Sequence, residues 1–495
     1  MKSLGIGYDY GTTTSYLSIC EVDHPKTELV ADDVGNKRFP SAVFVQENRT
    51  FLFGDKARRH RTEQGFYSSL KPLIKDYSNQ NPEYSFVGCA LKAYTMELFR
   101  HLKPKLVDVE QVYLTVTTPL GFTYKENRIM SEIASECFKS LYSDIKVNEI
   151  SFLPEPIAAT VFIISSIQSY SLQNNGYLAV CDMGGGTTDL TIVEYDRTDQ
   201  SRPIIKVKQT QHNICMGGDL ITEEFKDFIN TRFGLQCHFE LVDEIKKYLS
   251  TYHRERIGDT KIMVTREDLN EVLRSHIIDE LMRMMKNLTE GLNDDNMHIA
   301  PVGGSSRIPL IQETYNCFGS GDMLDLIGET NKESFDSVVR GAAMYSAYNL
   351  SAKYEVVLHG RTSLPLSVQC DNGSLYECVL RNSEDDIYKS DVFHPREVSA
   401  DGTIVLGNFF FYQVSEDKKD VIHKRKPDFQ FKLDEPIHTG KTNPNDITIE
   451  ISIVIKASAL SSCTVSVKTL NDSGNNIIHF EKTILVDEMT QFDYE

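Results

Sequence analysis

The sequence predicts an α/β region followed by an all-β region, and three observations lead to this prediction. Two similar segments, each an aspartate followed by glycine and threonine, come directly after apolar strands that end at Asp9 and Asp182. Around them, apolar stripes with helical spacing alternate with short apolar strands, which is the pattern of an α/β architecture. After residue 350 the helical stripes stop, and an alternation of period two indicates strands that bury one face.

The first α/β half begins with a strand, a tight turn and a second strand within residues 4–20. A buried strand is predicted at 112–116, and Pro119 ends it. Between these strands lies a stripe of positions with helical spacing, formed by Leu91, Tyr94, Thr95, Leu98 and Leu102.

The second α/β half repeats the beginning of the first. A strand at 177–181 pairs with a strand at 190–194 across a run of three glycines. A long amphipathic helix follows, and its apolar stripe is formed by Leu269, Val272, Leu273, Ile277, Leu281, Met284 and Leu288. Thr265, with Asp268 three residues later, resembles a capping box at the start of this helix.

The all-β region shows its clearest alternation at Ile447, Ile449, Ile451, Ile453 and Ile455. A turn is predicted at 471–475, which is rich in Asn, Asp, Ser and Gly, before a last strand at 478–485. The same alternation would bury at least one face of the aromatic run 409–411.

A chain of 495 residues is longer than one hydrophobic core usually serves, so at least two domains are expected. We predict an α/β domain at 1–350, an apolar linker at 351–363 and a β-sandwich domain at 364–495. The run of Val356, Val357 and Leu358 makes this linker unusually apolar.

Charge and cysteine content narrow the classes of function. The formal net charge of -19 argues against a nucleic-acid binder and against docking on anionic membranes. The ten cysteines form no Cys-x-x-Cys pair, which argues against zinc and thioredoxin-like sites and suits a reducing compartment. Neither a signal segment nor an apolar stretch of about 18 residues is visible, so we expect a cytoplasmic protein.

The two Asp-Gly-Thr segments predict a site that clamps a polyphosphate. Glycines in both segments would let backbone N–H groups face a phosphate, and the hydroxyls of Thr12 and Thr13 would add donors. Asp9 and Asp182 would repel phosphate directly, but each can hold a hydrated divalent cation, and oxygen ligands favour Mg²⁺. Two such hairpins facing each other would grip a polyphosphate from both sides.

A third glycine pair, Gly303 and Gly304, lies at a predicted strand-to-helix turn. A single pair of glycines is more often a plain turn than a ligand site. The combination of this pair with the two hairpins, in this order along the chain, favours a nucleotide site. Neither a Walker motif nor a Rossmann fingerprint is present.

These motifs resemble those of the DnaK-type 70-kilodalton heat-shock chaperones, within the actin-like ATPase superfamily. Segments 6–13 and 178–189 are similar to the two phosphate motifs of that family, although the family usually has phenylalanine at Thr188. Further similar segments are 303–309, which resembles the adenosine motif, 154–159, which resembles the segment linking the lobes, and 217–219, which resembles a further phosphate turn. The resemblance covers roughly residues 4–350 and continues more faintly to about 485. It implies an actin-like fold of two duplicated ribonuclease-H-like lobes and a C-terminal β-sandwich.

The resemblance also implies an activity, which is the binding and slow hydrolysis of ATP to regulate the binding of unfolded or extended polypeptide. It implies catalytic roles for Asp9, Lys71, Glu155, Asp182 and Thr187. It implies nucleotide contacts for Gly11, Thr12, Thr13, Gly184, Gly185, Gly186, Gly217, Gly218, Lys246, Lys247, Ser250, Gly303, Gly304, Ser305 and Arg307. Asp9 and Asp182 would hold Mg²⁺ through water, Asp9 and Asp189 would hold K⁺, and Pro119 would be a switch between the lobes. Without the resemblance, Lys71 would be interpreted as an ordinary surface lysine.

A J-domain co-chaperone and a nucleotide exchange factor are the further partners that the resemblance implies. The segment between Gly218 and Thr265 is shorter than is usual in the family, which puts exchange-factor binding in question. The linker lacks the usual aspartate, which puts coupling between the domains in question. Because the chain ends at Glu495, we expect the helical lid of the family to be missing.

Two other functions stay open on the sequence alone. The first is a nucleotide-sensing scaffold whose β-sandwich binds one fixed protein partner, and promiscuous peptide binding would separate it from a chaperone. The second is a small-molecule kinase of the same superfamily, which is disfavoured because no sugar-binding segment is visible.

Overall fold

The computed structural model forms two compact units, residues 1–121 with 129–357 and residues 122–128 with 358–495. The division near residue 357 falls inside the segment predicted as a linker. The structure describes residues 2–46, 50–71, 74, 86–122, 124–166, 172–213, 215–291, 297–318, 323–324, 336–359, 366–370, 375–379, 387–389, 394–413, 429–456, 459–471 and 475–485.

The first unit begins with a sheet that carries the first predicted hairpin. Its strands and their neighbours are, in chain order, β1 (Lys2–Asp9), β2 (Thr14–Glu21), β3 (Thr27–Leu29), β4 (Phe39–Pro40), β5 (Val43–Val45), β6 (Phe51–Phe53), β7 (Phe66–Tyr67), β8 (Val109–Thr118) and β9 (Lys146–Pro154). The main sheet has the order β3-β2-β1-β8-β9, β4 pairs with β2, and β6-β5-β7 form a separate small sheet. The helices are α1 (Gly54–Arg58), α2 (Phe86–Arg100), α3 (Tyr124–Leu141), whose residues 124–128 are counted with the second unit, and α4 (Glu155–Ser166).

A second sheet carries the second predicted hairpin. The strands of this half are β10 (Asn175–Met183), β11 (Thr188–Asp196), β12 (Ile204–Asn213), β13 (Arg254–Arg256), β14 (Met263–Thr265) and β15 (Met297–Val302), and the sheet runs β15-β10-β11-β12. The helices are α5 (Gly218–Phe233), α6 (Phe239–Thr251), α7 (Arg266–Leu273), α8 (Asp279–Thr289), α9 (Pro309–Asn316) and α10 (Ser337–Leu350).

The two sheets repeat one arrangement. In the first, β1 pairs antiparallel with β2 and parallel with β8, and in the second, β10 pairs antiparallel with β11 and parallel with β15. The α/β class and the duplication predicted from the two Asp-Gly-Thr segments are therefore confirmed.

Helices α4 and α10 pack tightly together, and α10 also lies against β1. Cβ atoms added to Gly5 and Gly7 would lie 2.3 Å from backbone atoms of α10, and one added to Gly341 would lie 1.7 Å from the Ala158 carbonyl oxygen. Only glycine permits this approach, because any side chain would force the backbones apart. This close packing fixes the position of β1, the strand that ends at Asp9.

The predicted long helix consists of α7 and α8 joined by a π-helical turn, Arg274–Ile278. The predicted apolar stripe is buried along its whole length. The capping box also forms, because the Thr265 hydroxyl accepts from the Asp268 amide while the Asp268 carboxylate accepts from the Thr265 amide. The sequence did not predict the π turn, since the stripe continues through it without a break.

The end of the first unit pairs with the edge of the second sheet. The Glu355 amide donates to the Ser201 carbonyl at 2.9 Å, and the Val357 amide donates to the Pro203 carbonyl at 3.0 Å. The start of the predicted linker is therefore an ordered edge segment next to β12, where β16 (Val357–His359) begins.

The second unit is built from strands, as the period-two pattern predicts. The strands are β17 (Leu366–Cys370), β18 (Leu375–Val379), β19 (Ile387–Lys389), β20 (Thr403–Ile404), β21 (Gly407–Gln413), β22 (Phe429–Leu433), β23 (Ile437–His438), β24 (Ile447–Lys456), β25 (Ala459–Leu470) and β26 (Asn476–Leu485). They form two four-stranded sheets, β18-β17-β21-β22 and β19-β24-β25-β26, and the pair β20-β23.

Each four-stranded sheet has a buried apolar face. Phe409 and Phe411 are buried on β21, and Ile447, Ile449, Ile451 and Ile453 are buried on β24. The alternation and the core role of the aromatic run are confirmed, and so is the β-sandwich class. Within the described ranges, no helix has the length and apolar character needed to cross a membrane.

Candidate functional site

The two hairpins lie at equivalent places in the two sheets. β1 ends at Asp9, and β10 ends at Met183, one residue after Asp182. Each strand has a parallel neighbour, so each acid lies at the carboxyl end of parallel strands. That edge is where open α/β sheets usually bind ligands.

The hairpins face each other at close range. A Cβ atom added to Gly185 would lie 2.7 Å from Thr13 Oγ1, and one added to Gly186 would lie 2.9 Å from Thr12 Cγ2. Because the second hairpin has glycines, it has no side chains at these positions. The threonine side chains of the first hairpin occupy that space. The arrangement predicted from the repeat, two hairpins on opposite sides of one cleft, is what the structure brings together.

Backbone hydrogen bonds orient the second hairpin. The Gly218 amide donates to the Gly184 carbonyl at 2.9 Å, and the Asp219 amide donates to the Gly185 carbonyl at 2.7 Å. Because a trans peptide points its C=O and the following N–H in opposite directions, the amides of Gly185 and Gly186 point away from this turn. Among the described residues these two amides have no hydrogen-bond partner. They form a nest of the kind that binds anions.

The first hairpin is held by side chains from distant parts of the chain. The Ser41 hydroxyl donates to the Gly11 carbonyl at 2.7 Å, and the Ser41 amide donates to the Thr13 carbonyl at 3.1 Å. The Thr117 hydroxyl, at the end of β8, donates to Asp9 Oδ1 at 2.8 Å. These contacts fix both the turn and the direction of the Asp9 carboxylate.

The third glycine pair lies directly against the second hairpin. Gly303 has a φ of +79°, and a Cβ atom there would lie 2.4 Å from Asp182 Oδ1, so only glycine fits. The Ser305 hydroxyl donates to the Gly184 carbonyl at 2.9 Å, and the Ser306 hydroxyl donates to the Cys181 carbonyl at 2.9 Å. The predicted adenosine turn and the predicted phosphate hairpin therefore form one connected structure.

Buried acids surround a single lysine in the cleft. Lys71 is buried, and its Nζ forms an ion pair with Glu155, the first residue of α4. Burial, followed by repulsion from Glu155, raises the pKa of Asp9 and Asp189, and burial also raises the pKa of Asp182. Burial alone would lower the pKa of Lys71, but Glu155 and Asp9 outweigh it and raise that pKa.

This cluster has more negative than positive charge. Four carboxylates share one ammonium group, although buried charges are normally paired. Within the described ranges, no three His, Cys, Asp or Glu side chains are close enough to ligate a metal ion directly. The arrangement therefore suits a hydrated cation, which needs oxygen acceptors at a distance from one another.

Two further predicted residues lie next to the acids. The Thr187 hydroxyl donates to Asp189 Oδ2 at 3.4 Å. Pro119 is buried just after β8, and the backbone of the following residue, Leu120, hydrogen-bonds to the Asp189 carboxylate. The predicted switch residue is thus one position from a contact with an acid of the second hairpin.

On α6, Lys246 points into the protein. It is 6% exposed, its Nζ donates to the Gly218 carbonyl at 2.7 Å and to the Thr222 hydroxyl at 2.6 Å, and it pairs with Asp243 at 2.8 Å. Burial lowers its pKa, and Asp243 opposes that shift. Lys246 therefore stabilises the turn 217–219 through its hydrogen bond to the Gly218 carbonyl, in addition to any contact with a nucleotide.

The other residues predicted to contact adenosine are more open. Lys247 is exposed and pairs with Asp243 at 2.5 Å. The Ser250 hydroxyl donates to the Lys246 carbonyl at 3.0 Å, and Arg307 is half-buried at the end of the adenosine turn. Lys247 and Ser250 lie on the helix that also carries Lys246.

The sequence did not predict the residues that hold the hairpins in place. They are Ser41, Thr117, Thr188, Thr222 and Ser306. Each is a buried hydroxyl residue in contact with the site. A hydroxyl directly after a predicted strand, as in Thr117 after the strand predicted at 112–116, is the one local signal that could have indicated them.

Comparison with known proteins finds similarity to one family. A family model described as Hsp70 protein matches residues 155–399, which include the second hairpin and the adenosine turn. The chain is 23% identical to Chaperone protein dnaK1 of Prochlorococcus marinus, over 86% of this chain and 68% of that protein. It is 24% identical to Chaperone protein DnaK of Thermoplasma volcanium, over 79% of this chain and 66% of that protein.

A third relative is the Chaperone protein HscA homolog of Rickettsia prowazekii, 22% identical over 77% of this chain and 63% of that protein. The chain thus spans about two thirds of the length of the curated relatives it matches. The matching family model and these relatives agree with the facing hairpins and the β-sandwich. The chain is thus similar to the Hsp70 family and to proteins named as chaperones, in agreement with the family, the fold class and the chaperone function that the sequence predicts.

Proposed function

We propose that the cleft between the hairpins binds ATP with Mg²⁺ and hydrolyses it slowly, and that the bound nucleotide regulates how the β-sandwich holds extended polypeptide. One observation carries this proposal. A hairpin with threonine side chains faces a hairpin of bare glycine backbone, beside a buried cluster of acids that contains one lysine. We assign ATP binding and hydrolysis to residues 1–350, the linker to residues 351–363 and polypeptide binding to residues 364–495.

The phosphate grip is assigned to both hairpins. The backbone at Gly11 and the hydroxyls of Thr12 and Thr13 donate from one side. The amides of the second hairpin donate from the other, because the amides of Gly218 and Asp219 hold the carbonyls of Gly184 and Gly185. Backbone donors of this kind need no reorganisation when the charge on phosphate increases.

The acids fit a hydrated cation. Asp9 and Asp182 are buried at the two strand ends and have no positive partner other than Lys71 among the described residues. We assign them to Mg²⁺ through its water ligands, and Asp9 with Asp189 to K⁺. A bound Mg²⁺ would neutralise phosphate charge and orient the phosphate chain. Its positive charge would also lower the pKa of these carboxyl groups, which burial and then repulsion between the acids raise.

Lys71 and Glu155 are assigned to catalysis together. Lys71 is the positive side chain within the acid cluster, so it can stabilise charge that grows on the transferring phosphoryl group. Glu155 holds the Lys71 ammonium group and, as a buried carboxylate, can orient a water molecule for attack. Thr187 lies beside Asp189 and contributes a hydroxyl donor to the same region.

The adenosine end is assigned to the turn at Gly303, Gly304, Ser305 and Arg307 and to α6. A planar guanidinium at Arg307 suits stacking on the adenine base. Lys247 and Ser250 lie on the exposed side of α6, where they can contact the ribose or the base. Lys246 acts partly through the Gly218 carbonyl, which it contacts directly.

The proposed partners of the second unit are unfolded or extended polypeptides. An exposed β-sandwich can bind an extended chain through main-chain hydrogen bonds and side-chain pockets. A J-domain co-chaperone and an exchange factor are proposed to act on the nucleotide cycle, as the relatives are chaperones by name. Eight cysteines are free, which supports the proposed cytoplasmic location, and they are Cys20, Cys89, Cys137, Cys181, Cys215, Cys237, Cys317 and Cys463.

The test is the affinity of the full chain for a labelled, unstructured peptide, measured by fluorescence anisotropy in ADP and in ATP. We expect weaker binding and faster release in ATP, and no effect of either nucleotide in a variant that cannot bind it. Peptide affinity that does not depend on nucleotide would contradict the regulatory role. Binding of one protein sequence and of no unrelated peptides would favour the scaffold instead.

A further inference from the structure

We propose that Thr188 is a positioning residue for phosphate binding, because it aims the amide of Gly217 into the phosphate site. The proposal rests on the proposed function, since it concerns the same phosphate grip. The Thr188 side chain is fully buried at the start of β11, and its hydroxyl donates to the Met216 carbonyl at 2.6 Å. Met216 is itself buried in the core of the second half.

The geometry of one peptide links this bond to the site. The Met216 carbonyl points at Thr188, so the N–H of Gly217 points the opposite way. Gly217 is buried, and its amide has no hydrogen-bond partner among the described residues. A buried amide without a partner is costly, and a ligand is one of the few groups that can satisfy it.

Gly217 also lies beside the two free amides of the second hairpin. A Cβ atom added to Gly217 would lie 2.6 Å from the Gly185 carbonyl oxygen and 2.7 Å from the Gly186 carbonyl carbon. Three backbone donors, those of Gly185, Gly186 and Gly217, are therefore within one small region. Together they suit a phosphate group, which accepts several hydrogen bonds.

The contact depends on the Thr188 hydroxyl. Phenylalanine, which is usual at this position in the family that the sequence resembles, has no hydroxyl to donate. Thr188 differs from its neighbour Thr187, which is half-buried and contacts Asp189, and from Thr191 on the same strand. The Thr191 hydroxyl is buried and has no hydrogen-bond partner in the part of the chain that the structure describes.

The experiment compares Thr188→Val with Thr191→Val, the same change at two buried positions of β11. Dissociation constants for ATP, ADP and adenosine are measured by calorimetry on the full chain. We expect Thr188→Val to weaken ATP and ADP binding by about tenfold and adenosine binding by less than about twofold, since one oriented donor to a charged group is lost. Thr191→Val should leave all three affinities unchanged, and Thr188→Ser should restore binding because it keeps the hydroxyl.

Three results would overturn the role of Thr188. They are wild-type ADP affinity in Thr188→Val, an equal loss in Thr191→Val, or an equal loss of adenosine affinity. If Thr188→Val does not fold, Thr188→Ser decides alone, because a loss of phosphate-dependent affinity there contradicts the proposal. A wild-type chain that binds no ATP would instead overturn the proposed function itself.

Discussion

The two hairpins are copies of one motif that bind in different ways. The first presents threonine side chains and is held by hydroxyls from elsewhere, Ser41 on the Gly11 carbonyl and Thr117 on Asp9. The second presents bare backbone and is held mainly by the amides of Gly218 and Asp219. The difference shows how a duplicated motif becomes a clamp, because the side chains of one copy fill the space that the glycines of the other leave open.

Replacing equivalent glycines of the two hairpins with alanine should change the free energy of unfolding by very different amounts. This is the largest effect that we expect. Gly11 and Gly184 each lie two residues after the acid, but an added Cβ would be 2.1 Å from the Thr14 carbonyl oxygen at Gly11 and 3.9 Å from the Thr187 carbonyl oxygen at Gly184. We expect Gly11→Ala to lower the free energy of unfolding by about 3 kcal/mol, because the backbone must move.

Gly184→Ala is the matched control for that prediction. It should change the free energy of unfolding by less than about 0.5 kcal/mol, since no atom is near enough to clash. Urea titrations of the nucleotide-free proteins measure both values. Equal destabilisation by the two changes would show that the first hairpin is not the tighter turn.

Removing one charge from the acid cluster should make the nucleotide-free protein more stable and less active. Burial raises the pKa of Asp9 to about 7 and of Asp189 to about 8 from an ordinary value of 3.8, and it raises that of Asp182 as well. The folded state therefore binds more protons than the unfolded state above about pH 4, so the nucleotide-free protein should become less stable as pH rises towards about 8. Asp182→Asn should reduce this loss by at least about 1 kcal/mol at about pH 8.

Unfolding titrations at about pH 5 and about pH 8 test the prediction, with hydrolysis measured in parallel. Asp182→Asn should be more stable than the wild type mainly at the higher pH, and it should lose Mg²⁺-dependent hydrolysis. A wild type that gains stability relative to Asp182→Asn as pH rises would show that the acids are not short of positive charge.

A smaller effect should separate two adjacent threonines at the end of β8. The Thr117 hydroxyl donates to Asp9, whereas the buried Thr118 hydroxyl has no partner among the described residues. Thr117→Val should weaken Mg²⁺-ATP binding by roughly five- to tenfold, which corresponds to about 1 kcal/mol for one lost hydrogen bond. Thr118→Val should bind as the wild type does, and similar losses in both variants would remove the positioning role of Thr117.

The sequence predicted the parts of the site that local patterns encode. An aspartate followed by glycine and threonine directly after a strand specifies its own turn, so both hairpins were predicted, and a pair of glycines predicted the turn at Gly303. Period-two alternation and helical stripes likewise predicted the sheets and helices, because each depends on residues that are close in sequence.

The contacts that hold the site depend instead on distant residues. Ser41 contacts Gly11 across 30 positions, and Thr117 contacts Asp9 across 108 positions. Lysine is usually exposed, so nothing in the sequence alone indicated the burial of Lys71 and Lys246. Tertiary packing determines these features, and a local pattern does not contain it.

The clamp account is tested most directly by single-turnover ATP hydrolysis with Mg²⁺ and K⁺, in the wild type and in Lys71→Ala, together with ATP affinity. Lys226→Ala, which removes a lysine that pairs with Glu223 on α5, is the control. We expect that all three proteins bind ATP, that the wild type and the control hydrolyse it, and that Lys71→Ala loses at least about a hundredfold in rate. Hydrolysis at the wild-type rate in Lys71→Ala, or a wild type that binds no ATP, would contradict it.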